Sequence, residues 1–315
     1  MADARGPANP PPPGHTSGDP AARKDGTVLE VAVGYLDSQI KELLIQDPEV
    51  RSGSPEAVHD MRSATRRLRS ALNIYGCLFD AAPRHRLGHE LKWLARTLGR
   101  PRDADVVRER LRARIDELPG DLGTERVAGP AENAIGAAYD LGYARARKAL
   151  NSKRYLRLLE DLKSFRDRPP ATDRARRPAR IAAARLVNNQ ARAVDRAHRA
   201  AVRTPPGRAR DLALHRLRKD TKRLLHGAES VAGIYPKRAL SLARTARRLQ
   251  RILGNHQDSV MTRAFLDSLA ADPALPQEAR RAYRQIRDLE EDIARRAARK
   301  YARTRRKSPA LRLRR

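Results

Sequence analysis

The stretch His59-Asp60-Met61-Arg62-Ser63-Ala64-Thr65-Arg66-Arg67-Leu68-Arg69, continuing to Ala71, Leu72 and Tyr75, has a counterpart later in the chain. The later copy is His215-Arg216-Leu217-Arg218-Lys219-Asp220-Thr221-Lys222-Arg223-Leu224-Leu225, continuing to Gly227, Ala228 and Val231. At the period of an α-helix, Met61, Ala64, Leu68, Ala71, Leu72 and Tyr75 share one face, and His59, Arg62, Arg66 and Arg69 share the opposite one. The later copy sets Leu217, Leu224, Ala228 and Val231 against His215, Arg218 and Lys222 in the same way. Each stretch therefore predicts a helix with an apolar seam and, opposite it, a stripe of histidine and cations. Surface helices usually mix signs so that acids pair with bases. These stripes carry no acid, which suits an anionic partner.

A second matching segment follows each copy. Leu91-Lys92-Trp93-Leu94-Ala95-Arg96-Thr97-Leu98-Gly99-Arg100-Pro101-Arg102-Asp103 corresponds to Ala246-Arg247-Arg248-Leu249-Gln250-Arg251-Ile252-Leu253-Gly254-Asn255-His256-Gln257-Asp258. Aligned on Leu-Gly, His89 pairs with Arg244, Lys92 with Arg247 and Arg96 with Arg251, all at spacings that keep them on one helix face. Gly99 and Gly254 read as helix C-caps, and Asp103 and Asp258 as N-caps of the helices that follow.

Composition limits the partners. The 315 residues hold 67 Lys plus Arg against 37 Asp plus Glu, a net charge of +30. Such a charge favours polyanions: nucleic acid, anionic lipid or polyphosphate. Apolar residues are 40% of the chain and aromatics 4%, which serves helix bundles better than sheets. The single cysteine, Cys77, reads as a small buried hydrophobe and permits no disulfide within the chain. No apolar run reaches the ~18 residues of a membrane span, and no signal-peptide core is present, so the cytoplasm is the expected compartment.

In order, residues 1–26 are Pro-rich and expected to be disordered. An amphipathic helix spans Thr27 to Gln46 and is broken by Pro48 to Gly53. Ser54-Pro55 is a helix start, N-cap then Pro at the first position, and opens the first stripe helix, expected to run to about Phe79. Helices from Pro83 to Gly99 and from Asp103 to Leu118 follow, then a helical region interrupted near Gly129-Pro130 and Asn151-Ser152. After Pro169-Pro170 come a helix from Pro178 to Val202, a turn at Thr204-Pro205-Pro206-Gly207 and the second stripe helix. Separate helices at Lys237–Leu253 and Asp258–Ala270 and a long one from Gln277 complete the chain. This makes about ten helices and no strand, an all-α fold in two similar halves, 27–168 and 171–306. Residues 295–315 hold 11 Lys/Arg and no acid, and taking these from the net +30 leaves +19 for the rest. Of this basic end, 307–315 is expected as a tail.

The paired His-x-x-Arg pattern, with Leu-Gly-x-x-x-Asp downstream of each copy, resembles the CHAD domain (conserved histidine α-helical domain) over about residues 27–306. The resemblance implies two pseudo-symmetric helical bundles around a basic central pore or groove that binds inorganic polyphosphate, with several relatives associated with polyphosphate granules. Carried onto this sequence, it places His59, Arg62, Arg66, Arg69, His215, Arg218 and Lys222 on the pore wall, with Lys92, Arg96, Arg247 and Arg251 beside them. Two departures stand out. Leu225 occupies the position of Arg69, and His226 replaces a common aromatic. Two expectations stay open there: a weaker second half-site, or His226 as substitute. The Glu-x-Glu-x-Lys motif of the triphosphate-tunnel domain found in some relatives is absent.

The residue types fit that partner. Arginine donates paired hydrogen bonds to phosphate oxygens and stays charged, and a protonated histidine adds charge. A metal site built on His59 and His215 is disfavoured, because its neighbours are cations rather than carboxylates. Catalysis of phosphoryl transfer would need carboxylate-held metals or a nucleophile. The nearby acids are only Asp60, Asp103, Asp220 and Asp258, so binding without chemistry, cofactor or metal is expected. Non-specific nucleic-acid binding is the alternative, although base-stacking aromatics are scarce in the cationic segments. The sequence leaves the oligomeric state open.

Overall fold

The computed structural model describes residues 26–118 and 124–313. The expected disordered tail (apart from Gly26) and the final two arginines of the basic tail lie outside the described residues. Within them the fold is all-α, with ten α-helices and only isolated β-bridges.

Helix α1 (Val28–Ser52) starts at Thr27, whose hydroxyl accepts from the Glu30 N–H at 3.4 Å. It does not stop at Pro48, as the sequence suggests. Its last turn is anchored from outside: the Tyr143 hydroxyl donates to the Val50 carbonyl at 2.6 Å and Arg51 donates to the Leu150 carbonyl at 2.7 Å. These contacts offset the hydrogen bond that proline removes. Gly53, at φ 110°, then ends the helix in the left-handed conformation.

Helix α2 (Pro55–Ile74) opens as expected, Ser54 Oγ accepting from the Ala57 N–H at 3.2 Å. It ends at Ile74, short of Phe79. A 3₁₀ turn over Gly76–Leu78 breaks the helical phase and swings Cys77 outward. The cysteine is therefore exposed, not buried as its place on an extended helix would make it.

Helices α3 (Ala81–Thr97) and α4 (Gly99–Ile115) meet at Leu98, whereas the matching region of the second half is one unbroken helix, α9 (Pro236–Ala270). The capping roles expected for Gly99, Gly254, Asp103 and Asp258 are thus corrected. Neither glycine has a positive φ, and both aspartates lie inside helices. One residue accounts for the contrast between the halves. Pro101 lacks the N–H that would continue the helix, while the equivalent His256 keeps it. Helix α5 packs close to this break, and a Cβ on Gly142 would come within 2.9 Å of the Pro101 nitrogen.

Helix α5 (Thr124–Leu150) runs through Pro130, expected as an interruption, because Val127, Ala131 and Ile135 lock its first turns into a core. The break at Asn151-Ser152 is real, with Ser152 capping α6 (Lys153–Asp167). Helices α7 (Ala179–Arg203), α8 (Arg208–Ser230) and α10 (Gln277–Lys307) complete the chain.

The apolar cores do not divide along the boundary between the sequence halves. The main core takes α1, α2, α3 and α6 together with α7, α8 and the first part of α9. A smaller core joins the far ends of α4, α5, α9 and α10. Both bury side chains from both halves, so neither half presents a core of its own. The basic end is docked as well: Leu311 and Leu313 are buried in the main core, and Asn188 bonds the Leu313 backbone through both its amide atoms.

The two stripe helices cross each other. Where α2 meets α8, His226 Nδ1 and Ser70 Oγ lie 2.8 Å apart, and these are matching positions of the repeat. Gly227 keeps the crossing close, since a Cβ there would already touch Ile74 at 3.4 Å.

Candidate functional site

The repeat sets the same local geometry twice. Thr65 and Thr221 each bond back to the carbonyl four residues earlier, at 2.8 and 2.9 Å, which satisfies the buried hydroxyls within their own helices. Met61, Ala64 and Leu68 on α2, and Leu217 and Leu224 on α8, fill the core and turn the opposite faces outward. Because α2 and α8 cross, the two cationic faces meet.

Arg66 is the centre of that meeting. Burial lowers its pKa to about 9, and Arg62 of its own helix and Arg218 of α8 push in the same direction. A guanidinium remains charged at such a value, so the shift records a charge held first out of water and then beside like charges. Lys222 lies well below its ordinary value, first through burial and then through Arg66, Arg218, Arg62 and Arg67. Arg218 is lowered by burial, with Arg62 opposing its charge as well. The sequence-expected residues Arg62, Arg66, Arg218 and Lys222 thus form one cationic cluster drawn from both repeats.

The histidines flank this cluster. Burial, then Arg102, Lys222, Arg62 and Arg66 lower His59 to about 4. His215 is lowered by burial and by Lys219, Arg218 and Arg66, while a 2.5 Å bond between its Nδ1 and Gln257 Oε1 works the other way. Both rings are consequently biased towards the neutral form without a ligand, and His59 carries no charge near pH 6. His226, held open as a substitute cation, is buried, bonded to Ser70 and pushed well below the ordinary histidine value by burial and by Lys222. It is a helix-crossing residue.

The remaining expected residues spread outward. Arg69 is exposed, and its partly covered guanidinium is lowered by desolvation and then by Arg223 and Arg96 beside it. Arg96, Lys92 and Arg251 are exposed. Arg247 is drawn to Glu229 at 2.8 Å. Arg102, Lys219, Arg67 and Arg223 join the cationic neighbourhood although the sequence reading did not select them. Arg102 follows the Leu-Gly pair, outside the histidine-led stripe, and only the fold brings it to His59.

The stripes carry no acid of their own, yet the tertiary structure supplies some. Asp103 Oδ1 accepts from Arg62 at 2.9 Å. Asp258 is raised by burial, with Arg218 and Arg110 lowering it. Gly99 and Gly254 give the arginines room. A Cβ on Gly99 would lie 3.7 Å from Arg62 Nε, and one on Gly254 3.8 Å from Arg218 Nε. Each Leu-Gly-x-x-x-Asp segment is therefore a glycine floor with an aspartate one turn on, lying under an arginine from the stripe helix.

Two depressions, lined by Asp140, Tyr143 and Arg147 and by Asp292, Arg295 and Arg299, include none of the stripe residues. Among the described residues no group of three or more His, Cys, Asp or Glu could hold a metal ion. No described helix is long and apolar enough to cross a membrane.

Comparison with known proteins gives this architecture its relatives. The CHAD domain family model matches residues 34–267. The chain is 34% identical over 244 residues to Uncharacterized protein MT2285 of Mycobacterium tuberculosis (strain CDC 1551 / Oshkosh), covering 76% of this chain and 46% of that one. Uncharacterized protein Rv2226 of the strain ATCC 25618 / H37Rv matches equally, so the chain spans about half the length of both relatives. Among solved structures, PptA from Streptomyces chartreusis superposes with a TM-score of 0.73 at 18% identity, covering 89% of this chain and all of that one. The CHAD domain of the plant Ricinus communis superposes with a TM-score of 0.70 at 21% identity, covering 94% and 96%.

Proposed function

The chain belongs to the CHAD domain family, and on that premise we propose that it binds inorganic polyphosphate in a basic channel where α2 and α8 cross. The observation that carries this reading is the convergence of Arg62, Arg66, Arg218 and Lys222 from the two repeats, with mutual repulsion only partly offset by Asp103 and Asp258. A fold that holds like charges together at a cost is poised for an anion that removes the cost. A polyphosphate chain carries about one negative charge per internal unit, and rigid helices present the cations to it without loop ordering. Arg69, Arg96, Lys92, Arg251 and Arg247 extend the path outward. His59 and His215 act first as neutral donors, and bound phosphate favours their protonation. Binding therefore takes up protons and tightens as pH falls. In this reading the protein holds polyphosphate without transforming it and is drawn to polyphosphate granules.

Nucleic acid is the rival polyanion. Stacking on bases needs free aromatic faces, and here Arg154 lies over the Trp93 ring at 4.3 Å and Arg108 over Tyr139 at 5.5 Å. The test is direct binding of long-chain polyphosphate against duplex and single-stranded DNA at matched charge and physiological salt. Polyphosphate is expected to bind more tightly and to raise the melting temperature. Equal affinities would turn the reading into one of general polyanion binding, and phosphate release would end the binding-only account.

A further inference from the structure

An acid inside an anion site looks like a defect, since it repels the ligand. Yet the two halves place one in the same way. Asp103 follows Gly99 by one helical turn, as Asp258 follows Gly254, so glycine and carboxylate share a helix face. Across each glycine lies the arginine of a different helix, Arg62 from α2 or Arg218 from α8. Asp103 accepts a hydrogen bond from Arg62 at 2.9 Å. Asp258 attracts Arg218 electrostatically but makes no hydrogen bond to it, and the buried Arg218 Nε has no hydrogen-bond partner.

We infer that Asp103 is a positioning residue of the anion site, fixing Arg62 in its glycine-floored slot so that its remaining donors are aimed before the ligand arrives, whereas Asp258 acts on Arg218 at the matching slot through its charge alone. This rests on the binding reading above and deepens it. The physical reason is the flexibility of arginine, whose long side chain loses rotamer freedom when it grips a phosphate. A carboxylate that takes one N–H edge meets that cost in advance and leaves the other donors for phosphate oxygens. The carboxylate also offsets part of the repulsion from Arg66 and Lys222. The two slots are not identical. Arg62 is hydrogen-bonded and Asp103 is about half exposed, whereas Asp258 sits deeper and is raised by burial.

Net charge and positioning predict opposite signs. Asp103→Ala and Asp258→Ala make the site more positive, so on charge alone polyphosphate binds more tightly. Positioning expects Asp103→Ala to weaken binding by about tenfold, the scale on which supporting partners of a bound group act, whereas Asp258→Ala, which removes no hydrogen bond to Arg218, should follow net charge. Asp103→Asn and Asp258→Asn keep an accepting oxygen, lose the repulsion and should bind at least as well as the wild type. A second readout needs no ligand: nitrogen-15 relaxation of the arginine Nε–H groups in the full chain. Asp103→Ala should mobilise Arg62 and leave the exposed Arg303 unchanged. Tighter binding by Asp103→Ala, equal losses in Asp103→Ala and Asp103→Asn, or unchanged order at Arg62 would each overturn the inference. If wild-type protein binds no polyphosphate, the ligand reading fails, and arginine order alone decides the positioning role. Should Asp258→Ala fail to fold by circular dichroism, the more exposed Asp103→Ala carries the test.

Discussion

The two half-sites begin from one motif and end in different chemical states. In the first, His59 faces Arg102, and burial with that neighbour brings it to about 4. In the second, the matching partner of His215 is Gln257, whose hydrogen bond opposes the burial that lowers the ring. The first stripe carries Arg66 and Arg69, and the second has Lys222 and then Leu225, which is buried. Arg62 is hydrogen-bonded to its aspartate, while Arg218 keeps a buried Nε without a partner. The first half breaks into α3 and α4 at Pro101, and the second runs straight through His256 in α9. A repeat preserves faces and spacings. The side chains brought in from other helices decide protonation and pairing.

The most drastic way to break the comparison is to reverse one charge in each half at the crossing. Arg66→Glu with Arg218→Glu puts carboxylates against bound phosphate, where disrupted desolvated charge contacts cost about 2–5 kcal/mol each. Polyphosphate affinity should fall by a few orders of magnitude. The melting temperature of the ligand-free protein should not fall, because the reversal relieves cation repulsion. Arg303→Glu with Arg312→Glu, on exposed positions of the basic end, should cost less than about tenfold. Comparable losses from the two pairs in folded variants would leave the channel without support.

A smaller effect comes from exchanging the histidine partners. Arg102→Gln should raise the titration midpoint of His59, and Gln257→Arg should lower that of His215, both read by NMR. The first change returns only part of the shift, since burial is the leading cause. The stability consequence has a definite sign. A histidine depressed from about 6.5 to about 4 contributes stability present above the unfolded value and lost as pH falls between the two. Arg102→Gln should therefore soften acid destabilisation across that window, and an unchanged His59 midpoint would dismiss Arg102 as the cause.

The smallest effect sharpens the difference between broken and continuous helix. Gly254 lies inside α9, so Gly254→Ala should stabilise by up to about 1 kcal/mol, whereas Gly99, the first residue of α4, should give less. The added Cβ meets the nearest arginine atoms at 3.7–3.9 Å, ordinary contact distances, so each arginine keeps its slot. Polyphosphate binding should stay within about twofold in both, as for changes that remove no partner. A large loss would mean that the slots tolerate no methyl group.

The sequence by itself determined that this protein is helical, that two stretches share one design, and that each stripe faces away from an apolar seam. Those features are local: the 3.6-residue period and the Ser54-Pro55 start depend on neighbours within a turn or two. The resemblance added the family on two histidine-led copies and two Leu-Gly…Asp segments. Local rules misjudged Pro48 and Pro130, because Tyr143, Arg51 and the distal core hold those helices from outside. They also read Asp103 and Asp258 as caps, since an aspartate after glycine looks the same in sequence whether it starts a helix or lies within one. Only the tertiary structure decided that Arg62, Arg66, Arg218 and Lys222 converge, that His226 is a crossing residue and that His59 loses its charge. Burial and Coulomb interaction depend on distance through space, and the groups responsible lie on helices far apart along the chain.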